Sequence, residues 1–87
     1  MPEADTTLKQ KTGELETAIA ETRSELSRVD EAQRTEVHRE LVAICKEAAE
    51  WVEQCKRSSK RSTDEAASLT QKAEAFLREL RMRRTAI

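Results

Sequence analysis

The sequence predicts an all-α protein, most simply an antiparallel three-helix bundle. Three observations carry this. Apolar side chains recur at helical spacing over most of the chain. Gly and Pro occur once each, as Gly13 and Pro2. Aromatic residues make up only 2%, whereas a sheet needs turn glycines and prolines together with many β-branched and aromatic residues. No apolar run approaches the ~18 residues that a membrane-spanning helix requires.

From Leu15 the apolar or small positions run Leu15, Ile19, Thr22, Leu26, Val29, Gln33, Val37, Leu41, Ile44, Ala48, Trp51 and Cys55. Their mean step is about 3.6 residues, the period of an amphipathic helix. The first helix is expected over about 6–27. Gly13 lies inside it and costs it ~1 kcal/mol relative to Ala, so fraying of its first turns is expected. The second is expected over about 31–57. Asp30 offers an N-cap, Glu31 stands in the first turn, and Gln33 completes a capping pair. Gln33 is also the most polar point of the stripe. The alternative is one unbroken helix from 6 to 57, roughly 78 Å long, folded into a long helical hairpin that dimerises. The third helix is expected over about 63–84. A turn near 58–62 contains no apolar residue, and Ser62 with Glu65 three positions on fits a capping box. Its apolar stripe runs Ala66, Leu69, Ala73, Phe76 and Leu80.

At 87 residues the chain is expected to form one helical domain spanning 1–87. It holds sixteen large apolar side chains between its termini, a thin core. Thin cores favour oligomerisation or partner binding. Cys45 and Cys55, ten residues apart on one helix, are separated by roughly 15 Å along its axis and cannot pair within it. Two free thiols point to a reducing, intracellular and most simply cytoplasmic setting. Met1-Pro2-Glu3 opens no basic and apolar leader, so no secretory signal is expected.

The net charge of -1 conceals a division. Residues 1–54 hold seven basic and thirteen acidic groups, a net -6. Residues 55–87 hold nine basic and four acidic groups, a net +5. In an antiparallel bundle these halves lie side by side, so complementarity between helices is expected.

Enzyme chemistry has little to work with. His38 is the only histidine. On a straight helix Cys45 lies ~10 Å from it, too far for a direct hydrogen bond, and a surface or groove position is expected for the imidazole. There is no glycine-rich phosphate loop and no Glu-x-x-His pair, so no catalytic residue, cofactor or metal is expected. The candidate partner-binding residues are Trp51, as a core or interface anchor, and two basic clusters. One contains Lys56, Arg57, Lys60 and Arg61, the other Arg78, Arg81 and Arg84 beside Arg83. Nucleic acid is disfavoured as the partner, because without Tyr and with a single Phe there is little for bases to stack on. The expected function is a non-enzymatic helical interaction or scaffolding module that associates with itself, a homodimer first, or with another protein. A nucleic-acid accessory role using the basic clusters is the alternative from another class.

Leu15-Glu16-Thr17 with Arg23-Ser24, then Val29-Asp30-Glu31, Glu47-Ala48-Ala49-Glu50-Trp51-Val52, and finally Ala66-Ala67-Ser68-Leu69 with Phe76 and Arg81-Met82 follow one another along 12–84. In that order they resemble the C-terminal helical lid subdomain of the heat-shock chaperones of the DnaK class. The resemblance implies a helical piece without ATPase activity that covers bound peptide and contacts co-chaperones. The nucleotide-binding and peptide-binding domains of that family have no counterpart in these residues, nor does the acidic tail of its cytosolic eukaryotic members. A shorter stretch, Leu8-Lys9-Gln10-Lys11-Thr12-Gly13, resembles the opening of tubulin-binding cofactor A, a small three-helix bundle.

Overall fold

The computed structural model describes residues 3–57 and 61–86, with side chains from 6 onward. Three helices account for most of them: α1 (Glu3–Ser27), α2 (Glu36–Arg57) and α3 (Thr63–Thr85). They run up, down and up, and each packs on both others, α1 most extensively on α3. The described residues measure 49 × 22 × 15 Å, shorter than a hairpin built on an unbroken 6–57 helix would be. The all-α three-helix architecture expected from periodicity is the one found. The long hairpin is not, because the chain leaves the helical path between Arg28 and Thr35.

That break differs in detail from the expectation. A single 3-10 turn occupies Glu31–Gln33, and α2 begins at Glu36 rather than near 31. Asp30 precedes the 3-10 turn in extended conformation, but its side chain caps nothing. The cap of α2 is Thr35. Its carbonyl accepts the first helical bond, from Arg39 N–H at 3.1 Å. Its own N–H donates to Nδ1 of His38 at 3.0 Å. The third residue of the helix thus reaches back to the cap residue's amide, as Glu or Gln does in a capping box. The Thr35 hydroxyl also lies 3.0 Å from Nδ1. Five of the residues assigned to α2 from sequence therefore belong to the connection.

The start of α3 matches the expectation. Ser62 is its N-cap, and Ser62 Oγ accepts from Glu65 N–H at 3.1 Å. Asp64 and Glu65 stand in the first turn, and Arg83 and Arg84 in the last, which suits the helix dipole at both ends. The expected turn near 58–62 falls partly outside the described residues, at 58–60. Helix α1 starts three residues earlier than expected, at Glu3. Nothing between Glu3 and Thr6 breaks a helix. Gly13 keeps an ordinary negative φ inside it.

Two arginines tie the ends of helices to the chain that follows them. Arg34 Nη2 donates to the Leu26 carbonyl at 3.4 Å, near the end of α1. Arg61 Nη2 donates to the Cys55 carbonyl near the end of α2. Both bond carbonyls in the last turn of a helix, where intrahelical donors run out; the Leu26 carbonyl also accepts from Val29 N–H at 3.2 Å. In each case the next residue, Thr35 or Ser62, caps the following helix.

The core alternates steps of three and four. In α2 it takes His38, Leu41, Cys45, Ala48, Val52 and Cys55, all buried, with Trp51 beside them. The stripe read from sequence, Val37, Leu41, Ile44, Ala48, Trp51 and Cys55, includes four of these buried residues but takes Val37 and Ile44 in place of His38, Cys45 and Val52. Val37 and Ile44 are only half-buried, packed against the edge of the core. Because α2 meets two helices, its apolar face is about 100° wide and both columns are used. Thr22 is fully buried, and its hydroxyl returns to the Ala18 carbonyl at 2.7 Å. That bond removes the cost of an unsatisfied hydroxyl in the core.

Candidate functional site

His38 is buried, at 8% exposure, rather than on the surface or in a groove, because its ring completes the cap of α2. Cys45 and Cys55 are both free and both buried. Burial pushes each thiol up from its ordinary value; Arg23 near Cys45 and Arg61 near Cys55 offset part of this. A thiol so placed resists forming the thiolate on which nucleophilic or metal-binding chemistry depends. Among the described residues, no group of three or more His, Cys, Asp or Glu side chains converges as a metal site.

Trp51 lies in the interior, 8% exposed. Its ring stands 5.6 Å from that of Phe76, tilted by 49°, and this pair joins α2 to α3. The tilted arrangement is a favourable one for aromatic rings.

The basic clusters divide by what they touch. Arg84 reaches α1, with Nη2 2.5 Å from Glu25 Oε1 and Nη1 3.4 Å from Glu21 Oε2. The Arg84 guanidinium holds the Glu25 carboxyl below its usual range. Arg83 pairs with Glu40 of α2 at 3.2 Å and with Glu79 of its own helix at 2.6 Å. Lys56 pairs with Glu16 of α1 at 2.8 Å, and this hydrogen bond raises the Lys56 pKa. The opposed charges of the two chain segments thus meet across all three helix pairs, with a longer contact of 4.0 Å from Lys11 to Glu74. Arg61 is engaged at the end of α2. Lys60 lies outside the described residues.

Arg57, Arg78 and Arg81 are exposed. Among the described residues none of them has a carboxylate within ion-pair distance. Arg78 and Arg81 line a shallow groove between α1 and α3 with Lys11, Glu74, Leu77 and Met82. Met82 is 64% exposed, the most exposed of the large apolar side chains described. Arg57 lies on the outer face of α2, in a second shallow groove with Ala49, Glu50, Glu53 and Gln54. Sequence reasoning named the arginines but missed Met82 and the α2 carboxylates. Their signal was available: an apolar residue among arginines, and acidic residues off the apolar stripe.

No helix among the described residues is long and apolar enough to cross a membrane. No family model, curated protein or solved structure matches the chain.

Proposed function

We propose that this chain is a non-enzymatic helical interaction module that associates with itself, a dimer being the smallest product. One observation carries this reading. Among the described residues Arg57, Arg78 and Arg81 stay exposed without an ion-pair partner, Arg78 and Arg81 beside the exposed Met82, while Arg83, Arg84 and Lys56 hold the bundle together. Charge that the fold does not use is available to a partner. The roles of His38, Cys45 and Cys55 support the absence of catalysis, since each serves a cap or the core.

Binding of nucleic acid draws less support. Lys56 and Arg84, one from each basic cluster, are already neutralised by carboxylates of α1. A phosphate backbone would have to displace them, and the Trp51 and Phe76 rings are engaged with each other rather than free to stack on bases. Sedimentation velocity over a wide concentration range separates these readings. The proposed function predicts a weight-average mass above the monomer at high concentration and low salt. A monomer throughout that binds single- or double-stranded oligonucleotides in a salt-dependent manner would replace it.

A further inference from the structure

The two shallow grooves carry complementary charge in a matching order. Along α2 the exposed series runs Glu50, Glu53, Arg57. Along α3, read in the opposite direction, it runs Arg81, Arg78, Glu74. Laid antiparallel, the two series set acid against base at every position: Glu50 on Arg81, Glu53 on Arg78, Arg57 on Glu74. The spacings of three and four residues keep each series on one helix face. Apolar surface accompanies the charge, with Met82 on one side and the half-buried Ala49 on the other.

These series cannot meet within one chain. Since every helix packs on the other two, the bundle is triangular in section. The outer face of α2 and the groove between α1 and α3 then lie on roughly opposite sides.

We infer that the occupant of the α1–α3 groove is the outer face of α2 from a second copy of this chain, held by Glu50–Arg81, Glu53–Arg78 and Arg57–Glu74 pairs. This deepens the self-association reading and rests on it. Among the described residues, Glu74 is the one of these six groups in an ion pair, with Lys11 at 4.0 Å, a loose contact to exchange, and Glu53 lies near enough to Lys56 to favour its charged form. Because the two surfaces differ, the contact is heterologous. Each copy keeps one unused surface of each kind, so association continues past the dimer unless a ring closes. Exposed ion pairs are individually weak, so the assembly is a low-affinity one that salt dissolves.

The test is charge reversal with complementation on the full chain, read by sedimentation at low salt. Arg78→Glu with Arg81→Glu, and separately Glu50→Arg with Glu53→Arg, are each expected to weaken self-association by roughly tenfold or more. Mixing the two variants restores association, because reversed pairs are again complementary. Circular dichroism checks that each variant folds; the milder Arg78→Gln with Arg81→Gln serves if the reversal does not. A wild-type chain that stays monomeric overturns both this interface and the self-association reading. A wild-type chain that associates, with variants that associate equally well or a mixture that fails to recover, overturns the interface alone.

Discussion

The Arg84 guanidinium bridges α3 to α1 by donating to Glu25 at 2.5 Å, across 59 residues of chain. With its second contact to Glu21, it fastens the C-terminal end of α3 beside the C-terminal end of α1, where the two helices run parallel. Parallel helices place like dipole ends together, an unfavourable arrangement that a cation at that end relieves.

This pair makes stability sensitive to acid in a defined direction. The folded-state pKa of Glu25 is depressed by Arg84. Its contribution is therefore complete above the unfolded carboxylate pKa and is lost as pH falls through the folded value. Urea midpoints measured from neutral pH downward are expected to drop through that window. Arg84→Gln should lower the neutral midpoint and flatten the drop. Equal slopes for wild type and variant would remove the pair from the account.

The His38 cap predicts a specific pattern of substitutions. His38→Ala removes the acceptor of the Thr35 N–H and is expected to cost about 1–2 kcal/mol. His38→Gln can reach back to the same amide and should recover much of that loss. A Gln variant no better than Ala in chemical denaturation would show that the ring acts by packing alone.

Gly13 offers a stabilising change. It sits inside α1 with a negative φ, and a Cβ built there meets nothing within 4 Å. Gly13→Ala is expected to raise stability by about 0.5–1 kcal/mol, through helix propensity and a less flexible unfolded chain. Thermal melts followed by circular dichroism read this directly.

Trp51 reports on the contact between α2 and α3. Its burial predicts blue-shifted emission in the native state. Phe76→Ala removes the ring beside it, and as Phe76 is half-buried the cost is expected near the low end for such a change, about 3 kcal/mol. The emission should shift to the red as water enters. An unchanged spectrum would place the two rings apart.

Much of this fold was legible in the sequence because its signals are local or periodic. Ser62 and Glu65 announced the start of α3, and Ala66, Ala73 and Leu80 of its stripe mark the buried face, while Leu69 and Phe76 are half-buried and the buried Leu77 lies off the stripe. The start of α2 was not legible in the same way. Asp30 and Gln33 resemble a capping pair, but the cap used is Thr35, paired with a histidine that capping rules do not anticipate. The columns of α2 were also only half read. A mean period of 3.6 residues finds one line of residues, whereas contact with two helices buries Cys45 and Val52 beside it. The charge division predicted cross-helix pairing. Which cations would pair depended on helix register, fixed only by packing, so Arg84 and Arg78 could not be told apart from sequence.

Self-association is read most directly by a dilution series of two-dimensional amide NMR spectra of the isotopically labelled wild-type chain at low salt. Self-association through the outer face of α2 and the α1–α3 groove predicts concentration-dependent shifts gathered at residues 49–57 and 74–82. Amides on the outer side of α1, around Thr17 and Ser24, should stay fixed. Spectra that do not change with concentration, or changes centred away from those two segments, would contradict it.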